Sequence, residues 1–340
     1  MQTEELFFPG NAEDGAWTMA VKKYTPIASN EAKAETVTMF FAHSVGTHKE
    51  TWEPTIERLF ELQATSRDSS IFIAEAWSID GPNHGHAGVL NERAFFERPQ
   101  GITSYEWARG MQALFNSGLM RPGTKRIGVG HSAGACALIL STTGYQLDNL
   151  PLESIVVVEP PMLPKEVVAK LGSDPSMALA AVVKAVMARR DVWVSREDAE
   201  QWLQKRLPWN RWHPAVLRSF VKHGLRDLPN MTHPDRTTGV TLACTKIQEA
   251  AGFGYWQDGL DALKRMEEIS ATIPTYCILG AEIDMVPPAA HNACIKAGRS
   301  SVQRIAGAGH SVVQEKPYEL ASAIWKAVTE RGFDPASSKL

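Results

Sequence analysis

The stretch Arg126-Ile127-Gly128-Val129-Gly130-His131-Ser132-Ala133-Gly134-Ala135 constrains this chain more than any other. An apolar strand runs into Gly-x-Ser-x-Gly and then into an Ala/Leu-rich run of helix-forming composition. A serine on so sharp a strand-to-helix turn is held in a strained backbone conformation with its hydroxyl exposed, which is the geometry of an activated nucleophile. Gly130 and Gly134 bring no side chain, so the helix can pack closely over the strand end. The five-residue pattern alone is weak, because Gly/Ser turns also arise by chance. The strand before it, the helix after it and a late Gly309-His310 raise its weight.

Apolar runs of strand length alternate with amphipathic stretches, which predicts an α/β fold: a mostly parallel, twisted sheet with helices on both faces. The expected strands are Trp17 to Tyr24, Thr36 to Phe41, Ile71 to Trp77, Arg126 to Val129, Ser154 to Val158, Tyr276 to Leu279 and Ser301 to Ile305. Helical spacing marks Trp52 to Leu62, Ser104 to Phe115, Ala133 to Thr142, Ala289 to Ala297 and Pro317 to Glu330. From about Leu163 to Gly239 the alternation breaks into a helical segment rich in Arg and Trp. An insertion there would lie over the carboxyl ends of the strands, where such folds bind ligands, so 163–239 is expected to be a helical lid. The core is then 1–162 plus 240–335. The lid's Trp193, Trp202, Trp209 and Trp212 could line a substrate pocket or form the lid's own core.

The 340 residues carry a net charge of −3, with no basic surplus to favour a nucleic-acid partner. No apolar run reaches the length of a membrane span, and the first residues lack the basic and apolar regions of a secretory leader. Cys136, Cys244, Cys277 and Cys294 have no metal-ligand spacing and read as reduced core residues of an intracellular protein. The histidines lack ligand spacing too, so neither metal nor cofactor is expected. A small-molecule substrate is the expected partner. Residues 336–340 form a polar tail ending in Ser338-Lys339-Leu340, a tripeptide that the peroxisomal import receptor reads as an address. Peroxisomal localisation follows as an expectation.

Taken together, the serine turn, the late histidine and the inserted segment resemble the α/β-hydrolase family over most of the chain. That resemblance implies a nucleophile at Ser132, a base at His310 and an acid between them in sequence. Two acids fit the order. Asp284, in Leu279-Gly280-Ala281-Glu282-Ile283-Asp284, matches the common motif after the penultimate strand. Glu159 ends the apolar strand Ile155 to Val158, and a carboxylate there needs a partner because burying an unpaired charge is costly. The family's oxyanion hole implies backbone donors at Ala133 and, in His43-Ser44-Val45-Gly46, at Val45, with Ser44 where the family has glycine. Asp80-Gly81-Pro82-Asn83-His84-Gly85 resembles a loop that usually stabilises the architecture near the active-site mouth.

A closer resemblance, carried by His43 to Glu50, Trp52-Glu53-Pro54, Gly88 to Glu92, Val158-Glu159-Pro160 and Arg189 to Trp193, is to fungal peroxisomal hydrolases of specialised metabolism. That group includes a thioesterase acting on a CoA ester and hydrolases of toxin biosynthesis, and it leans the acid towards Glu159. It implies a serine hydrolase, a thioesterase or esterase, cleaving an acyl-CoA thioester or carboxylic ester through an acyl-enzyme. The lid arginines Arg189, Arg190, Arg196 and Arg206 could meet a CoA phosphate or simply be solvated. An acyltransferase, or a non-catalytic ligand-binding protein of the same fold, would carry the same turn.

Overall fold

Val37, Met39 and Phe41 of the strand Glu35–Ala42 pack into one apolar cluster, and Phe40 and Ala42 pack into another on the opposite side. A strand buried on both sides cannot alternate apolar with polar residues, so its sequence reads as a continuous apolar run. The computed structural model describes residues 1–14, 16–27, 35–66, 70–170 and 180–329. In chain order the strands are β1 Gln2–Pro9, β2 Thr18–Thr25, β3 Glu35–Ala42, β4 Ile71–Ile79, β5 Lys125–His131 and β6 Ser154–Val158. They continue with β7 Val192–Trp193, β8 Leu225–Asp227, β9 Val240–Leu242, β10 Thr275–Gly280 and β11 Arg299–Ile305.

Eight of these form the main sheet in the order β1-β2-β4-β3-β5-β6-β10-β11. β1 and β2 pair antiparallel, as do β2 and β4, and the other pairs are parallel. All seven expected strands lie in this sheet, their ends shifted by no more than two residues. The eighth, β1, was not expected. Its residues are mostly exposed edge positions, so no apolar run announces it, and pairing along the whole of β2 holds it in place.

Helices cover both faces. Ile56, Leu59 and Phe60 of Glu53–Thr65 and Leu320, Ile324 and Val328 of Pro317–Thr329 close one face over Ile73, Val129 and Ile278. Helices Ser104–Asn116, Ala133–Leu140, Trp256–Ile269 and Pro288–Gly298 close the other. Ser104–Asn116 starts on a capping box, in which Thr103 Oγ1 accepts from the Glu106 N–H at 3.1 Å and Glu106 Oε2 accepts from the Thr103 N–H at 2.8 Å.

Between β6 and β10 lie the short helices Ala180–Ala188, Arg196–Leu203 and Pro214–His223 and a three-stranded sheet in the order β7-β9-β8. Trp193, Leu203, Trp209, Trp212 and Phe220 bury one another there in a cluster separate from the two sheet faces.

The loop after β4 is anchored by a buried ionic knot. Lys49 Nζ reaches Glu5 at 2.9 Å, Glu50 at 3.0 Å and Asp80 at 3.0 Å. Asp80 also accepts from the Lys49 N–H at 2.8 Å and the His86 N–H at 2.9 Å. This ties β1, the turn before the first long helix and the Asp80 loop to one point. All four cysteines are buried free thiols. No helix among the described residues is long and apolar enough to cross a membrane. The tail Ser338-Lys339-Leu340 lies outside the described residues.

Candidate active site

β5 ends at His131, and Ser132 follows it with φ 54° and ψ −123°, a left-handed conformation that side chains other than glycine rarely adopt. The Ser132 N–H donates to Val158 O at 3.0 Å, which pins the turn to the end of β6. No side chain fits beside it. A Cβ on Gly130 would stand 2.6 Å from Ala135 Cα, and one on Gly134 would stand 2.2 Å from His43 O.

β6 continues into Glu159, also left-handed at φ 48°. Its N–H donates to Ile278 O at 3.0 Å, and its Oε1 accepts from the Gly280 N–H at 2.7 Å, where β10 ends. After β11 the chain turns through Gly307 and brings His310 back over the strand ends. His310 Nε2 lies 3.0 Å from Ser132 Oγ, and His310 Nδ1 lies 3.3 Å from Glu159 Oε2. The three residues therefore form one hydrogen-bonded line, each buried to more than nine-tenths.

Asp284 occupies a different place. Its Oδ1 accepts from the His310 backbone N–H at 2.9 Å and the Met285 N–H at 2.6 Å, and it makes no hydrogen bond to the imidazole. The loop is held further by His131 Nε2, which donates to His310 O at 2.8 Å, and by Glu315, which accepts from the Gly309 N–H at 3.3 Å. Burial, followed by the neighbouring His310, pushes His131 down to about 3, so it is a neutral donor.

Burial alone would push the Glu159 carboxyl up, but hydrogen bonds from His291 and His310 outweigh it and hold the group at about 2. His291, on the helix Pro288–Gly298, was missed in the sequence. Its Nε2 lies 3.2 Å from the same Glu159 Oε2. The available signal was a lone histidine on the buried face of that helix, alongside Ala290, Cys294 and Ala297. A polar group in that position needs a partner.

The turn after β3 faces the serine. No described hydrogen bond uses the N–H of Val45 or Ala133, the two expected oxyanion donors. The N–H groups around Val45 are engaged: Thr47 donates to Ser44 O at 3.2 Å and Gly46 donates to His84 Nε2 at 3.0 Å. His84 is buried and neutral, pushed down to about 3 by that burial. Its Nδ1 donates to Asn83 Oδ1 at 2.6 Å, and Asn83 in turn donates to Gln248 at 2.9 Å. His43 accepts from the Gly81 N–H at 2.9 Å through Nε2 and donates from Nδ1 to its neighbour Ser44 O at 2.7 Å. The Asp80 loop therefore holds the turn after β3 through two neutral histidines.

Ser132 and His310 open onto a cavity of about 630 Å³. Its walls are apolar at Val186, Leu207, Trp202, Trp209, Trp212 and Phe253 and cationic at Arg189, Arg190 and Arg206. Trp209 and Trp212 belong both to the core of the inserted segment and to the cavity wall. Arg189 pairs with Glu249 through both guanidinium nitrogens, Arg190 with Asp198 at 2.6 Å, and Arg196 with Asp227. Arg206 lies 4.2 Å over the Trp202 ring and donates to Trp202 O at 3.2 Å; it has no carboxylate partner among the described residues. No cluster of three or more His, Cys, Asp or Glu among the described residues is arranged to hold a metal ion. Ser132, His310 and the turn from Ser44 to Thr47 line the same cavity.

A model described as the alpha/beta hydrolase family matches residues 39–323. The Type I acyl-CoA thioesterase mpaH of Penicillium roqueforti is 26% identical over 264 residues, which is 71% of this chain and 56% of that protein. The chain thus spans little more than half the length of the curated thioesterases it matches. The abhydrolase domain-containing protein ACTT2 of Alternaria alternata is 31% identical over 100 residues, 29% of this chain and 33% of that one. Among solved structures, the peroxisomal alpha-beta-hydrolase Lpx1 of Saccharomyces cerevisiae superposes with a TM-score of 0.75 at 16% identity. That match covers 100% of this chain and 92% of the other, and it shows a shared fold.

The depressed Glu159 carboxyl makes stability depend on pH. A carboxyl held below its ordinary value contributes fully above that value, and the contribution is lost as pH falls through about 2. Urea unfolding of the parent chain and Glu159→Gln should differ by about 3 kcal/mol from this source above pH 5, the gap narrowing steadily towards pH 3. A gap that does not change with pH would contradict it.

Proposed function

The chain belongs to the alpha/beta hydrolase family, and from that premise we propose a serine hydrolase that cleaves an acyl-CoA thioester or carboxylic ester through an acyl-enzyme on Ser132. The observation that carries the reading is the buried line from Ser132 Oγ through His310 to Glu159 at the wall of the cavity. His310 Nε2 takes the Ser132 proton as Oγ attacks the acyl carbon, and Glu159 stabilises the imidazolium that forms. The N–H groups of Val45 and Ala133 face the developing oxyanion, each contributing about 3 kcal/mol. His310 then gives its proton to the departing thiolate or alkoxide. Water attacks the acyl-enzyme as His310 takes a proton from it, the acyl–Oγ bond breaks, and the carboxylic acid leaves with Ser132 reprotonated.

In this reading Glu159 is the acid, and Asp284 anchors the loop that carries His310. Glu159→Gln should lower kcat about a thousandfold, whereas Asp284→Asn should cost less than about tenfold. The reverse order would assign the acid to Asp284.

Residues 163–239 act as the lid in this proposal, and Arg206 meets a phosphate of the CoA leaving group. Its guanidinium, at the cavity wall and with no carboxylate partner among the described residues, supports that role, as does the likeness to proteins named acyl-CoA thioesterases. Arg206→Ala should raise KM for an acyl-CoA about fivefold while leaving KM for a p-nitrophenyl ester unchanged. An equal effect on both substrates, or on neither, would count against it.

Peroxisomal placement joins the proposal through Ser338-Lys339-Leu340 where that tripeptide is the free carboxyl end. A fluorescent fusion carrying the tripeptide at its end should collect in peroxisomes and spread through the cell once it is removed. Unchanged distribution would contradict the address.

A further inference from the structure

Glu159 Oε2 is shared. His310 Nδ1 approaches it at 3.3 Å and His291 Nε2 at 3.2 Å, while Oε1 is taken by the Gly280 N–H at 2.7 Å. His291 is 1% exposed, and its Nδ1 is buried without a hydrogen-bond partner among the described residues. A proton on Nδ1 would therefore be a buried donor with no acceptor, so the proton of the neutral ring sits on Nε2 and points at Glu159. Two imidazole N–H groups share one carboxylate oxygen, and only one of the rings also reaches Ser132.

We infer that His291 is a positioning residue for the reaction proposed above: it fixes the Glu159 carboxylate. The inference rests on the hydrolase reading. Two consequences follow from the geometry. The acid cannot rotate away from the imidazole without giving up donors from two other elements, the end of β10 and the helix Pro288–Gly298. The positive φ of Glu159 is paid for by the same contacts.

The groups that face Glu159 from the surrounding elements are few. His310 approaches from the loop after β11, His131 from the end of β5, and Cys294 from one turn further along the helix that carries His291. Burial keeps His131 neutral down to about 3 and pushes the Cys294 thiol well up, so neither changes charge in the working range. Asp284 and Glu315 hold the His310 loop by its backbone N–H groups.

Ester hydrolysis by the parent chain, His291→Phe and His291→Gln, followed against pH, tests the inference. Phe keeps the ring volume and removes the donor, and the Gln amide nitrogen can take the place of Nε2. His291→Phe should lose about tenfold in kcat with KM unchanged, as expected for one hydrogen bond to a charged group. His291→Gln should recover that loss across the pH range. A Phe variant with parental kcat overturns the inference, as does an equal loss in both variants. Nitrogen-15 spectra of the histidine rings of the unmodified protein decide independently of any variant's folding. Protonation of His291 at Nε2 is expected, and protonation at Nδ1 overturns the inference. Absence of turnover by the parent chain would instead defeat the hydrolase reading and leave the ring spectra to judge the Glu159 contact.

Discussion

A carboxylate taken out of water at the end of an apolar strand must be met by donors, or the strand will not end there. Around Glu159 this requirement organises the whole edge of the sheet. The Gly280 N–H fixes the end of β10, His291 fixes the helix that follows, and His310 fixes the loop after β11. Three elements far apart in sequence meet at one side chain. The carboxyl stays ionised because these donors outweigh the cost of burial. Removing the charge would loosen the histidine loop and the serine turn together.

Backbone strain is concentrated at the same place. Ser132 and Glu159 end adjacent parallel strands, both in the left-handed region, and the N–H of each is bonded to the next strand along, at Val158 O and Ile278 O. Such conformations persist only where the surroundings over-determine them. The close approach of the helix Ala133–Leu140, which leaves no room for a Cβ at Gly130 or Gly134, does so for the serine. The hydroxyl is left 3.0 Å from His310 Nε2, beside the cavity.

Much of this was legible in the sequence, for a physical reason. Strands buried on both faces have to be continuous apolar runs, so β3 to β6 and β10 stood out, and the glycine spacing around Ser132 marked the turn. Edge strand β1 and the two-to-three-residue strands of the small sheet did not, because they bury little and carry no periodic pattern. Between Glu159 and Asp284 the residues themselves left the choice open, and only the resemblance leaned towards Glu159. Both fit the required order, and only the path of the loop after β11 decides which carboxylate meets the ring and which meets the backbone. His84 and His291 were equally silent, since a buried histidine reveals its partner only in three dimensions.

The account stands on Ser132 as the nucleophile, and the most direct measurement is intact-protein mass spectrometry after reaction with a fluorophosphonate. One phosphonyl adduct is predicted, mapping to the peptide that contains Ser132 and absent from folded Ser132→Ala. No adduct on the folded parent chain, or an adduct at another residue, would contradict the account.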